Sequence, residues 1–248
     1  MEGIFQTDRG QVRKLNEDSG GIHFNKNNQL LALVADGMGG HNAGEVASEV
    51  ANEIIKKAWA KEKELTKPEQ IEKWLHKNII KANSEIYKYA TKNEQYKGMG
   101  TTLVVAVCTD EFFSIAHVGD SRGYLLNENG FKQLTDDHSL VNELVKSGEI
   151  TENDAKEHPR KNVLLKALGT EEEITPEVKT ISWEDNNYLL LCSDGLSNKI
   201  AQTELASKLK ENKSLSEITN NLMLIANQRG GEDNISIALI TKAGEEKC

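Results

Sequence analysis

Four stretches of the sequence set an aspartate at the edge of an apolar run. Asp36 follows Leu30-Leu31-Ala32-Leu33-Val34 and opens Asp36-Gly37-Met38-Gly39-Gly40-His41; the others are Val118-Gly119-Asp120-Ser121, Cys192-Ser193-Asp194-Gly195 and Glu232-Asp233-Asn234-Ile235. One Asp-Gly pair is ordinarily a turn. Several, each abutting a buried strand, are different, because an acid there is costly unless it has a partner. Carboxylates and backbone carbonyls are hard oxygen ligands that favour Mg²⁺ or Mn²⁺, and glycines let another group approach the backbone. The pattern implies strand ends converging on one acidic cleft that holds metal ions.

Arg13-Lys14-Leu15-Asn16-Glu17-Asp18 sets a guanidinium close to two acids. Arginine can grip a phosphate through paired hydrogen bonds; taken alone the same stretch reads as a surface ion pair. Other phosphate chemistries fail on spacing. A cysteine phosphatase loop needs Arg six residues after the Cys, where Ser114 and Asn198 stand. An aspartyl-phosphate enzyme wants Asp-x-Asp, but Asp36 is followed by Gly37 and Met38. There is no Gly-x-x-x-x-Gly-Lys loop, no zinc spacing of Cys and His, and no EF-hand. Of the histidines, His41 either touches substrate or caps the following helix, His117 is structural within an apolar strand, and His138 orders the base of the segment after it. None pairs with Ser or Cys in a way that spells a triad.

The elements that must position these residues are mostly strands. Gly3 to Thr7, Gly20 to Phe24 and Leu30 to Val34 read as strands, with a polar, turn-like Gly10 to Asp18 between the first two. Ala43, Val46, Ala47, Val50, Ala51, Ile54, Ile55 and Ala58 make a helical stripe, and Pro68 opens a second helix with Ile71, Trp74, Leu75, Ile79, Ala82, Ile86 and Tyr89 on one face. Strands follow at Leu103 to Cys108 and Phe112 to Val118, and Arg122 to Leu126 with Phe131 to Leu134 form a hairpin. Short turns imply antiparallel pairing rather than a repeating strand-helix-strand chain. Asp136 to Gly169 breaks the rhythm as a small helical excursion, with one helix at Leu140 to Val145 closed by Gly148 and another starting at Thr151. Then come strands at Glu177 to Ile181 and Tyr188 to Cys192, helices at Gln202 to Glu211 and Ser214 to Gln228, and an alternating strand at Ile235 to Leu239.

The 248 residues, 38% of them hydrophobic, suffice for one large core. A net charge of −9 argues against a nucleic-acid face. Cys108 and Cys192 lie in apolar strand patterns and Cys248 ends the sequence, which suggests buried thiols in a reducing compartment rather than disulfides. The first residues carry no secretory pattern and no run approaches the ~20 apolar residues of a membrane span. A cytoplasmic protein with no membrane partner is expected.

Read in order, Arg13 to Asp18, Asp36-Gly37-Met38-Gly39-Gly40, Gly98-Met99-Gly100-Thr101-Thr102, Val118-Gly119-Asp120-Ser121-Arg122, Ser193-Asp194-Gly195 and Glu232-Asp233-Asn234 resemble the PPM family of metal-dependent Ser/Thr protein phosphatases, the type 2C phosphatases, in their bacterial form. The resemblance covers nearly the whole chain and implies an α+β fold: two packed antiparallel β-sheets flanked by α-helix pairs, a four-layer α-β-β-α sandwich. It implies one domain over residues 1–242 with a flap at about 137–169, leaving a charged tail at 243–248. It also implies roles. Asp36 bridges two metals, Asp194 and Asp233 complete the first metal's shell, the Gly37 carbonyl binds the second, and Glu17 and Asp18 act around the second. Asp120 helps hold a third metal, sharing Asp194; Arg13 grips the substrate phosphate; Asn234 orients Asp233. The cofactors expected are Mn²⁺ or Mg²⁺, two in the core site and a third beside it. The reaction expected is hydrolysis of phosphoserine and phosphothreonine by an activated water, reversing a bacterial Ser/Thr kinase of eukaryotic type, by a monomer acting on phosphorylated proteins. Animal relatives carry a His directly after the Asp-Gly as general acid; Met38 stands there and has no proton to give, which leaves a water at the metals as the expected donor. The rival readings are a metal-dependent phosphodiesterase and a non-catalytic scaffold or sensor.

Overall fold

The computed structural model describes residues 1–40 and 42–242. His41 and the charged tail from 243, with the expectations that concern them, lie outside the described residues. The chain begins with three strands, β1 (Glu2–Asp8), β2 (Asp18–Phe24) and β3 (Leu30–Met38), and two long helices, α1 (Ala43–Trp59) and α2 (Pro68–Lys92). Strands β4 (Gly100–Thr101), β5 (Leu103–Cys108), β6 (Phe112–Val118), β7 (Arg122–Asn127) and β8 (Gly130–Gln133) follow. Two short helices, α3 (Leu140–Lys146) and α4 (Glu152–Glu157), precede β9 (Glu177–Ser182) and β10 (Tyr188–Cys192). The last elements are α5 (Asp194–Ser197), α6 (Gln202–Leu209), α7 (Leu215–Gln228) and β11 (Ile235–Thr241).

The strands form two antiparallel sheets, ordered β1-β11-β10-β7-β8 and β2-β3-β5-β6-β9, with β4 paired to β3. Side-chain alternation along each central strand divides the core into three clusters. In β3, Leu31, Leu33 and Ala35 face α1 and α2, whereas Leu30, Ala32 and Val34 face the other sheet. In β11, Ala238 and Ile240 join the cluster between the sheets, whereas Ile235, Ile237 and Leu239 pack on α6 and α7. The layers are therefore helix pair, sheet, sheet, helix pair. Burial on both faces explains why the β3 and β5 sequences are continuous apolar runs rather than half-polar ones. Each Leu or Ile fully withdrawn from water adds roughly 1.5–3 kcal/mol to holding the layers together. Among the described residues no helix is long and apolar enough to cross a membrane.

Several boundaries differ from the sequence reading. β3 runs on through Asp36 to Met38 because β4 gives Gly37 and Met38 partners at Thr101 and Gly100. β2 begins at Asp18, which the composition had left in a turn, because Asp18 sits opposite Asp36 in the ladder. The alternating β11 is buried on both faces: Ser236, on the same side as Ala238 and Ile240, is fully buried. The excursion between β8 and β9 does contain two short helices, capped by Ser139 and Thr151 as Ser and Thr commonly cap. Neither helix has a buried residue.

Candidate active site

The acids come from both sheets at one end of the sandwich. Asp18 and Asp36 are cross-strand neighbours on β2 and β3. Asp120 lies where the chain passes from β6 in one sheet to β7 in the other. Asp194 follows β10 and Asp233 precedes β11; these strands are antiparallel neighbours, so the end of one meets the start of the other. Ser193 stitches the two sheets together: its hydroxyl donates to Asp18 Oδ2 at 2.8 Å and accepts the Ser236 N–H at 2.9 Å. Neither serine was singled out from the sequence, where a Ser beside a motif acid is too common to stand out.

The backbone at Asp36 is fixed from the side. Thr102 donates its N–H to the Asp36 carbonyl at 2.8 Å and accepts the Asp36 N–H on Oγ1 at 3.1 Å. Thr101 adds its hydroxyl to the same carbonyl at 2.9 Å. The next residue must be glycine, because a Cβ on Gly37 would lie 2.1 Å from the Gly44 carbonyl oxygen. Gly44, in the first turn of α1, is equally tight: a Cβ there would lie 2.7 Å from Glu17 Oε1 and 2.8 Å from the Gly37 oxygen. Two hard oxygens thus converge over a bare glycine. The start of α1, which has no side-chain cap from Asn42, faces the Glu17 carboxylate instead, a favourable arrangement at the positive end of a helix.

Arg13 is brought to a partner 220 residues away rather than to its sequence neighbours: Nη2 meets Asp233 Oδ2 at 2.8 Å. Asn234 holds this loop. Its Oδ1 accepts the Glu17 N–H at 2.8 Å, and its Nδ2 donates to the carbonyls of Arg9 and Leu15 at 2.8 and 2.9 Å. Only its main-chain N–H reaches Asp233, at 2.9 Å from Oδ1. Beyond Asp120, Arg122 pairs with Asp137 through Nε at 2.9 Å from Oδ1 and Nη2 at 2.6 Å from Oδ2, joining the strand end to the start of the excursion.

Crowding these carboxyls out of water works against their charge. Burial, followed by Asp18, Asp194, Asp120 and Asp233, raises the Asp36 pKa well above the usual carboxylate range. Burial likewise pushes Asp18 and Asp120 up to about 7 and Asp194 up to about 6, with neighbouring carboxylates adding to it in each case. Such a cluster wants a cation.

A family model described as "Protein phosphatase 2C" matches residues 6–239. The chain belongs to the protein phosphatase 2C family. It is 48% identical over 242 residues to the "Serine/threonine phosphatase stp" of Listeria welshimeri, covering 98% of this chain and 96% of that one. The crystal structure of the serine/threonine phosphatase Stp1 from Staphylococcus aureus superposes with a TM-score of 0.93 at 40% identity, covering 98% of this chain and 95% of that one. The catalytic domain of PstP, solved in complex with 2 manganese ions, superposes with a TM-score of 0.85 at 30% identity, covering 98% of each chain. The expected α-β-β-α sandwich is therefore the observed fold, and this protein phosphatase is an enzyme of a metal-dependent family.

Its own residues fit divalent ions. Buried Glu17 Oε1, Asp18 Oδ1 and Asp194 Oδ1 have no hydrogen-bond partner among the described residues. Orphaned oxygens of this kind are costly unless something electropositive meets them. The acids Glu17, Asp18, Asp36, Asp120, Asp194 and Asp233 offer oxygen, the donor set of Mg²⁺ and Mn²⁺ rather than of zinc or copper.

Proposed function

We propose that this chain hydrolyses phosphoserine and phosphothreonine in proteins, using two Mn²⁺ or Mg²⁺ ions in the acid cluster and a third beside it. The observation that carries the reading is the meeting of acids from both sheets, with three buried carboxylate oxygens among them that find no partner among the described residues. Asp36 would serve both core ions, with Asp194 and Asp233 on the first, the Gly37 carbonyl on the second, and Glu17 and Asp18 around the second. Asp120, with Asp194 shared, would hold the third. The bound ions supply an acidified water and neutralise charge on the transferring phosphoryl group.

The remaining work belongs to the chain. Ser193 keeps Asp18 turned inward, and Thr101 and Thr102 hold the main chain at Asp36. Arg13, half-exposed at the cluster edge, binds the phosphate of the incoming side chain through its free guanidinium nitrogens while Nη2 stays near Asp233. Met38 has no proton to give the leaving serine or threonine oxygen, so a water at the ion site would supply it. Residues 137–169, the flap, border the Asp120 side and meet the substrate's flanking residues. The partners are phosphorylated proteins and the Ser/Thr kinase of eukaryotic type whose action is reversed. The protein acts as a monomer in the cytoplasm, a reducing compartment that suits the free, buried Cys108 and Cys192.

The test sets a phosphothreonine peptide against a phosphate bis-ester, each with Mn²⁺ and with excess chelator. Hydrolysis of the peptide that requires the metal, with the bis-ester turned over at least about 100-fold more slowly, is expected. Faster turnover of the bis-ester would make the chain a phosphodiesterase, and no metal-dependent turnover of either would make it a scaffold.

A further inference from the structure

Beside the acid cluster, His117 and His138 stack with ring centroids 4.7 Å apart and planes at 11°. Both are buried, and with Glu177 they bring three ligand atoms within 4.8 Å of one another. Two histidines and a carboxylate at that range suggest a transition-metal site, but the hydrogen bonds decide otherwise. His117 Nε2 lies 2.8 Å from the Asp136 carbonyl, which can only accept, so its proton is on Nε2. His138 Nδ1 receives the Gly119 N–H at 3.1 Å and must be a bare lone pair. The His138 proton is therefore on Nε2, donated to Glu177 Oε1 at 3.1 Å. A metal on that nitrogen would drive the proton to Nδ1, directly against the Gly119 N–H. Near-parallel rings also send their lone pairs side by side rather than toward one point.

In this tautomer His138 holds Gly119 twice. Its main-chain N–H donates to the Gly119 carbonyl at 3.0 Å while its ring accepts the Gly119 N–H. Gly119 has φ +103°, and a Cβ there would lie 2.7 Å from Thr102, so the turn is both unusual and closely packed. The residue after it is Asp120. The same His138 accepts the Leu165 N–H on its carbonyl at 2.8 Å, and its neighbour Asp137 grips Arg122. One residue thus joins the Asp120 turn to both ends of the excursion.

We propose that His138 is a positioning residue for Asp120: its Nδ1 fixes the Gly119 peptide plane, and Glu177 fixes the tautomer that makes Nδ1 an acceptor. The proposal rests on the reading of Asp120 as a metal ligand. Two substitutions separate the ends of the ring. His138→Asn keeps an acceptor near Nδ1, whereas His138→Gln places its polar end near Nε2 and leaves the Gly119 N–H without one. In the chelated protein, amide exchange at Gly119 should be near wild type in His138→Asn and at least about 10-fold faster in His138→Gln. At sub-millimolar Mn²⁺, turnover of a phosphothreonine peptide should fall about 10-fold in His138→Gln, the scale of losing a ligand's supporting hydrogen bond, and stay within about twofold in His138→Asn. The double variant His138→Gln/Asp120→Ala should be no slower than Asp120→Ala alone, since one acts through the other. Equal losses in the Asn and Gln variants, or additive losses in the double variant, overturn the proposal. Normal turnover in Asp120→Ala alone instead overturns the reading of Asp120, and His138 then has no catalytic part. If His138→Gln does not fold, Glu177→Ala takes its place: faster Gly119 exchange with turnover lowered about threefold supports the tautomer argument, and no change in either overturns it.

Discussion

The acid-lined end of the sandwich and the excursion at 137–169 are neighbours built on opposite terms. The first places charged groups where water is scarce and supports them with strands buried on both faces. The second exposes two helices with no buried residue and ties them down at a few points. Those ties include the Arg122–Asp137 pair, the paired bonds between His138 and Gly119, the mutual main-chain bonds of Thr101 and Leu168, and the Gly169 N–H on Asn83 Oδ1 at 2.7 Å. Packing against a dense core fixes side chains closely, whereas hydrogen bonds at the base of a loop fix where it starts and leave its tip free to open at low cost. The rigid region suits chemistry that needs set distances. The loosely tied one suits contact with protein substrates of differing sequence.

The sharpest way to break this contrast is to remove a charge from the rigid side. Asp194→Ala and Asp233→Ala should each cut phosphatase turnover by at least about 100-fold, beyond the loss seen when only a ligand's support is removed, while circular dichroism stays native. Wild-type turnover in either variant at sub-millimolar Mn²⁺ would falsify their assignment. Arg13→Ala should lower kcat/KM by roughly 10- to 100-fold, the worth of one or two hydrogen bonds to a charged group. Its metal affinity by calorimetry should be nearly unchanged; an equal loss there would make Arg13 a structural partner of Asp233 only. Asp120→Ala, at the border of the two regions, should turn over about 10-fold more slowly at low Mn²⁺ and recover at high Mn²⁺. It should keep two tight ions, and normal turnover at every Mn²⁺ concentration would leave Asp120 as a turn residue.

A smaller effect concerns pH. Asp18, Asp120 and Asp194 have folded-state pKa values raised to about 7, 7 and 6. Without metal they favour the fold below the ordinary carboxylate value near ~4, and that contribution is lost as pH rises toward about 7. His23 and His117, lowered by burial, act in the opposite sense as pH rises toward the usual imidazole value near ~6.5. Because Mn²⁺ would meet the carboxylates and neither His23 nor His117, the Tm gain on adding it should be larger at pH 7.5 than at pH 5.5, and a constant gain would count against the cluster. The smallest effect on activity and the most direct on the comparison is amide exchange. Amides of α3 and α4 should exchange orders of magnitude faster than those of β3 and β5, and equal protection would mean that the excursion belongs to the rigid body.

The sequence by itself marked the acids that the structure brings together at one end of the sandwich, and most of the elements that present them. Acids at the ends of apolar runs are legible because burying a carboxylate is expensive, and the stripes of α1 and α2 are legible because a period of 3.6 needs no partner to be seen. What it left open was every relation between residues far apart in the chain. Two-residue β4 has no periodicity to detect, yet it lengthens β3 through Gly37 and Met38. Asp18 read as part of a turn because only its pairing opposite Asp36 makes it a strand residue. Arg13 stood beside Glu17 and Asp18 in sequence but meets Asp233 in space, and Ser193, Ser236 and Asn234 acquire their tasks from strands that approach only when the two sheets close. His117 and His138 are separated by a whole hairpin, and nothing local predicts that their rings stack or which nitrogen keeps its proton. Composition and spacing report the cost of burying a group, which is local; the partner that offsets the cost is chosen by the packing of layers, which is not.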